Sequence, residues 1–124
     1  MSANRLVYRD NRYTVDFDAL ERRAADPAVK LMLLCNPHNP AGRVWTPEEL
    51  RRIGDICLRR DILVVADEIH CELVMPGFRY TPFASLSEEF ARRSVTCASP
   101  SKAFNLAGVQ VANIFAADAG LRER

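Results

Sequence analysis

The sequence lacks a strong charge of either sign. Its 17 Lys and Arg residues are balanced by 16 Asp and Glu residues, so the formal net charge is +1. A chain with so small a net charge has no overall field that would draw it onto nucleic acid or an anionic membrane. We therefore expect neither of these partners, and we look for function in local sites.

Long hydrophobic runs and a disulfide pattern are also missing. No apolar stretch approaches the roughly 18–20 residues of a membrane span, and the N-terminus has no signal-peptide pattern. The four cysteines, Cys35, Cys57, Cys71 and Cys97, have irregular spacings within apolar stretches. This usage favours reduced thiols over a disulfide framework, and we expect a cytoplasmic protein.

What is present predicts one α/β layer. The 124 residues are 48% hydrophobic, enough for the core of about one domain. Apolar runs of strand length cover residues 30–35, 62–66, 94–98 and 109–115. Such runs are typical of strands covered on both faces of a parallel sheet, and their alternation with helices predicts an α/β fold.

Two helices are predicted between or before these strands. One covers about residues 18–25, and the other starts at Thr46, where Pro47 and Glu49 complete an N-terminal capping pattern. The stretch between the second and third apolar runs contains Pro76, Gly77 and Pro82, and we expect it to be largely loop.

Polar residues follow three of the predicted strands. Asn39 lies in a proline-rich turn, Asp67 closes the second apolar run, and Lys102 follows the third, close to two serines. Open α/β sheets bind ligands at the carboxyl ends of their strands. An acid and a lysine placed there can meet in one pocket, where the amine can act as a nucleophile toward carbonyl groups.

Taken one at a time, these residues also have structural explanations. Asp67 can be a loop acid, Lys102 a solvated surface residue, and Ser99 and Ser101 the cap of a short helix. Residues 36–42 use the ordinary vocabulary of turns. A nucleotide site at residues 67–70 is disfavoured because no phosphate-binding Gly-rich loop precedes it. A zinc site is disfavoured by its ligand spacing; the potential ligands are Cys35, His38, His70 and Cys71.

Three motifs in this order resemble a known family. They are Asn-Pro-His-Asn-Pro-Ala-Gly at 36–42, Asp-Glu-Ile-His at 67–70 and Ser-Pro-Ser-Lys-Ala-Phe-Asn at 99–105. Together they resemble the fold-type-I pyridoxal-5′-phosphate (PLP) enzymes of the class I/II aminotransferase group, over about residues 13–116. Within that group the chain most resembles cystathionine β-lyases of the MalY/PatB type. The resemblance implies that residues 1–124 are part of the mainly parallel PLP-binding large domain, without its N-terminal and C-terminal portions.

The resemblance also implies roles for individual residues. Lys102 would bond covalently to PLP and move the Cα proton of the substrate. Asp67 would pair with the ring nitrogen, Asn39 would donate to the phenolic oxygen, and His70 would lie near that oxygen.

The phosphate of the cofactor would be bound by Ser99, with Ser101 a weaker candidate. Many aminotransferases have a phosphate-binding arginine eight residues after the lysine, but Gln110 is found here. No metal is implied.

The implied reaction is α,β-elimination from a thioether amino acid such as cystathionine, giving pyruvate, ammonia and a thiol. The alternatives are an aminotransferase, which shares the early chemistry, and a non-catalytic α/β module. The resemblance implies a homodimeric parent enzyme. We expect the 124-residue chain to be inactive alone, and the unpaired strands and apolar surface of a truncated sheet favour higher self-association.

Overall fold

The computed structural model describes residues 2–123, and the first regular structure in them is a β-hairpin. Strands β1 (Val7–Arg9) and β2 (Arg12–Thr14) pair antiparallel. Their two-residue turn places Asp10 and Asn11 at φ of 50° and 56°, the left-handed conformation that tight hairpin turns require. This hairpin was not predicted from the polar residues that form it.

The main sheet has four strands. They are β3 (Leu31–Cys35), β4 (Leu63–Asp67), β5 (Ser94–Ala98) and β6 (Asn113–Ala116), in that spatial order. The first three are parallel to one another, and β6 is antiparallel to β5. The predicted mixed α/β fold with a mostly parallel sheet is therefore confirmed.

The predicted fourth strand was placed too early. Residues 107–109 form a 3-10 turn rather than strand. Gln110 follows it in the left-handed conformation, with φ of 54° and ψ of 43°. That conformation is incompatible with extended backbone, so β6 starts only at Asn113.

Helices α1 (Phe17–Ala24) and α2 (Pro47–Arg59) lie where the sequence predicted them. The side chain of Thr46 accepts from the Glu49 N–H at 3.2 Å, and the Glu49 carboxylate accepts from the Thr46 N–H at 2.8 Å. This reciprocal capping box satisfies two N–H groups that the helix itself leaves free.

The stretch after β4 is more ordered than predicted. It contains a 3-10 turn at Phe83–Ser85 and helix α3 (Glu88–Arg92), whose N-cap is Ser87. Two one-turn helices follow β5 and β6, namely α4 (Pro100–Ala103) and α5 (Ala119–Arg122). No helix within residues 2–123 has the length and apolar character needed to cross a membrane.

Helices cover one face of the sheet. Leu34, Val64 and Ala66 are buried on that face and form the core with residues of α2 and α3. On the opposite face, called here the open face, Leu31 and Leu33 are 48% and 63% exposed. The prediction that every strand is covered on both faces is thus wrong for residues 2–123, because the described helices pack on one side only.

Candidate functional site

Strands β3, β4 and β5 end together at one edge of the sheet, called here the carboxyl edge. Asp67 is the register partner of Cys35 on one side and of Cys97 on the other. Beyond the strands, the Asn36 N–H donates to the Asp67 carbonyl at 3.0 Å, and the Glu68 N–H donates to the Cys97 carbonyl at 2.8 Å. The three motifs therefore leave the sheet side by side.

Asp67 is exposed although it ends an internal strand. Its carboxylate accepts from the Ile69 N–H at 3.2 Å. Register partners in a sheet point to the same face, so Asp67 lies on the open face between the thiols of Cys35 and Cys97. Burial raises the pKa of both thiols, and the charge of Asp67 raises them further. The carboxylate is thus the one charged group in this row of three.

The turn that carries Asn39 is fixed at both ends by buried polar groups. Asn36 is fully buried; its amide donates to the Thr81 carbonyl at 3.1 Å and accepts from the Trp45 N–H at 3.2 Å. The Trp45 indole N–H donates to the Cys35 carbonyl at 2.9 Å. The turn therefore starts and ends against the same strand.

An ion pair between buried Arg43 and half-buried Glu49 holds the end of this turn to α2. The guanidinium of Arg43 donates to both oxygens of Glu49, at 2.6 and 2.8 Å, and lies 4.8 Å from the ring centre of Trp45. The His38 N–H also donates to the Arg43 carbonyl across the turn. Asn39 is thus exposed at the tip of a turn whose base is fixed.

Asn39 and His70 line the same cleft, which has a volume of about 840 Å³ and also contacts the β1–β2 hairpin. The Nδ1 atoms of His70 and His38 are buried, and neither has a hydrogen-bond partner among the described residues. Both histidines line the cleft beside the exposed amide of Asn39. Asp67 and the serine and lysine residues of the third motif do not line it.

The third motif begins with a capped helical turn. The Ser99 hydroxyl is the N-cap of α4 and accepts from the Ser101 N–H at 3.1 Å. It also donates to the Val111 carbonyl at 2.7 Å. The capping role that sequence allowed for Ser99 is therefore present, whereas the Ser101 hydroxyl is not the cap. Lys102 is exposed in the same turn.

Sequence reasoning missed two residues that shape this edge. The sequence predicts no individual role for Asn36 or Glu68. Glu68 is 2% exposed and accepts from the Phe83 N–H at 2.8 Å and from the Tyr80 hydroxyl. An acid directly after an apolar strand and beside a second acid was the available signal, but its partners lie 12 and 15 residues later.

The family model for aminotransferase class I and II matches residues 4–123. The chain belongs to the aminotransferase class I and II family. The chain is 51% identical over 115 residues to cystathionine beta-lyase PatB of Bacillus subtilis. This match covers 93% of the chain and 30% of PatB. It therefore spans less than a third of that relative.

Two solved structures of PLP-containing proteins have the same fold as this chain. Cystalysin from Treponema denticola, which contains PLP, superposes with a TM-score of 0.93 at 44% identity, over 95% of this chain and 30% of cystalysin. A PLP-bound putative aminotransferase from Clostridium difficile 630 gives 0.91 at 40% identity, with the same two coverages. The fold is thus that of fold-type-I PLP enzymes.

Proposed function

We propose that this chain is part of the cofactor-binding domain of a PLP-dependent C–S β-lyase that acts on thioether amino acids such as cystathionine. The observation that carries the proposal is the register of Asp67 with Cys35 and Cys97, because it sets three family motifs side by side at the carboxyl edge. The 51% identity to a cystathionine beta-lyase supports the lyase branch.

The groups at the carboxyl edge match the chemistry of PLP. Asp67 is an exposed carboxylate with a single N–H donor on it, so it can accept from a protonated ring nitrogen. Asn39 has an exposed amide for the phenolic oxygen, and Lys102 has an exposed amine. Ser99 fits less directly, because a phosphate would have to displace the Val111 carbonyl as the acceptor of its hydroxyl proton.

When bound, PLP supplies an aromatic system that accepts the electron pair left when the Cα–H bond breaks. Lys102 Nζ would hold the cofactor covalently and, once freed, take the Cα proton. Asp67 would keep the ring nitrogen protonated by pairing with its N–H. Expulsion of a thiolate from Cβ and hydrolysis then give a thiol, pyruvate and ammonia.

The two lysines of the chain allow a matched test of this proposal. Lys102 follows β5 at the carboxyl edge, whereas Lys30 precedes β3 at the opposite end of the sheet. In the full-length enzyme that contains this chain, borohydride reduction with PLP should fix the cofactor on Lys102. Lys102→Arg should abolish the label and pyruvate release, and Lys30→Arg should retain both. Equal labelling of the two positions would remove the enzyme proposal.

An aminotransferase is the second candidate, favoured by the 40% identity to a putative aminotransferase structure. The two activities differ in their need for a keto-acid acceptor. A lyase releases pyruvate from cystathionine without one, whereas an aminotransferase depends on it. The assay with and without acceptor therefore separates the two candidates.

Assembly and location belong to the same proposal. We infer a homodimeric, cytoplasmic parent enzyme; the family resemblance supports the homodimer, and the four free thiols support the cytoplasmic location. The 124-residue chain alone is proposed to be inactive, since it spans about 30% of its lyase relative.

A further inference from the structure

Two consecutive carboxylates have opposite surroundings at the end of β4. Asp67 is exposed on the open face, whereas Glu68 is 2% exposed. Side chains of successive residues in extended backbone point to opposite sides, so only Asp67 reaches the candidate cofactor site. Glu68 needs a different explanation.

Both carboxylate oxygens of Glu68 are bonded to one returning segment. Oε1 accepts from the Phe83 N–H at 2.8 Å, and Oε2 accepts from the Tyr80 hydroxyl. The same segment is attached to the end of β3, because the Thr81 carbonyl accepts from Asn36 at 3.1 Å. Burial raises the pKa of Glu68, and its two hydrogen bonds oppose that rise.

The residues between Glu68 and Tyr80 form one wall of the cleft. This segment, residues 69–79, is called here the cleft loop. It has no helix or strand, and its four cleft-lining side chains are those of His70, Leu73, Met75 and Phe78. Its internal backbone hydrogen bonds form only local turns, as from the Leu73 N–H to the His70 carbonyl at 2.8 Å. The Glu68 carboxylate therefore links the start of the loop to its end.

We propose that Glu68 is a positioning residue that joins both ends of the cleft loop and thereby sets where His70 lies in the cleft that Asn39 also lines. What the cleft binds rests on the proposed function, but the anchoring of the loop does not. Glu68 itself touches neither substrate nor cofactor in this assignment; it acts through His70.

Trypsin can report loop anchoring directly, because Arg79 is the only Lys or Arg between Arg60 and Arg92. In the full-length protein, Glu68→Gln should speed cleavage after Arg79 about tenfold, because the new NH2 group cannot accept from the Tyr80 hydroxyl and an amide oxygen is a weaker acceptor than a carboxylate. Tyr80→Phe, which removes one contact, should have a smaller effect in the same direction. Glu72→Gln, which neutralises an exposed acid in the same loop, should be cleaved after Arg79 at the same rate as the unmutated protein.

Coupling to the cleft is tested by PLP affinity in a double-mutant cycle. When His70 is present, Glu68→Gln should raise the dissociation constant for PLP about tenfold. In the His70→Ala background the same change should raise it less than about twofold, because the loop then has no imidazole to position. Equal losses in both backgrounds would overturn the proposal, because a merely structural residue acts independently of His70.

The trypsin and PLP-affinity experiments test the two proposals separately. A full-length protein that binds no PLP would defeat the proposed function, while the trypsin arm would still decide whether Glu68 anchors the loop. Unchanged cleavage after Arg79 in Glu68→Gln would reject the anchor even in an enzyme that binds PLP normally. A general loss of stability is recognised by faster cleavage at arginines outside the loop.

Discussion

His38 shows how a single residue of the first motif can be structural. Its ring lies edge-on to Trp45, with ring centres 5.8 Å apart, and its backbone N–H is bonded across the turn to Arg43. Burial lowers the pKa of His38, and the nearby carbonyl of its own backbone opposes this shift only in part. The turn therefore favours the neutral imidazole.

A pH dependence of stability follows from the lowered pKa. Because folded His38 binds its proton less readily than unfolded histidine, its contribution to stability is complete above about pH 6.5 and is lost as the pH falls through the folded pKa. The free energy of unfolding of the 124-residue chain should thus fall below that pH. In His38→Gln, which cannot titrate, this component of the fall should be missing. Parallel pH curves for the two proteins would contradict the prediction.

For single residues, the sequence predicts the type of chemical group better than it predicts that group's hydrogen-bond partners. The motifs led to Asn39, Asp67 and Lys102 because strand ends are visible as the ends of apolar runs. The hydrogen bond from Ser99 to Val111 joins residues 12 positions apart. It depends on where residues 107–111 turn, and the apolar run at 109–115 gave no sign of that turn.

Among the helices, α2 depends on a residue that has no side chain. Gly54 lies buried in the middle of α2, against the ring of Phe90. A Cβ atom at this position would come within 2.4 Å of that ring. The ring has little room to move, because it is buried and stacked on Phe83 with centres 5.2 Å apart. The glycine thus permits α2 and α3 to approach closely.

Gly54→Ala should destabilise the chain although alanine favours helix. Overpacking of a core costs about 1–3 kcal/mol, and the gain in helix propensity is about 1 kcal/mol, so we expect a net loss of up to about 2 kcal/mol in the free energy of unfolding. Urea unfolding measures this change. Gly108→Ala is the control, because no atom lies within 4 Å of its added Cβ. A stabilised Gly54→Ala variant would show that Phe90 relaxes freely.

Helices and strands marked by a local sequence pattern were predicted. Elements that depend on the conformation of turn residues were not. The Thr46 capping box and the apolar runs of β3 and β5 are read directly from sequence. The hairpin at residues 7–14 was missed because its strands are short and polar and its turn uses Asp10 and Asn11 in place of glycine. Helix α3 was missed because prolines nearby outweighed the Ser87 cap.

In the described part of the chain, the main sheet has one uncovered face and two edges without a neighbouring strand. Strands β3 and β6 each have one neighbour within residues 2–123. Leu33 and Ile114 are 63% and 71% exposed on the open face. Unpaired edges and contiguous apolar surface favour association with other chains, and a net charge of only +1 gives little electrostatic repulsion against it.

The isolated 124-residue chain should therefore self-associate, and Leu33→Lys should weaken that association. Burial of a leucine side chain contributes about 1.5–3 kcal/mol, so its replacement by a charged residue should weaken self-association at least about tenfold. Sedimentation velocity over a concentration series measures the shift. Ala28→Lys is the control: it adds the same charge on the exposed segment before β3 and should associate like the unmutated 124-residue chain. If the unmutated 124-residue chain is monomeric at every concentration, the open face does not drive association.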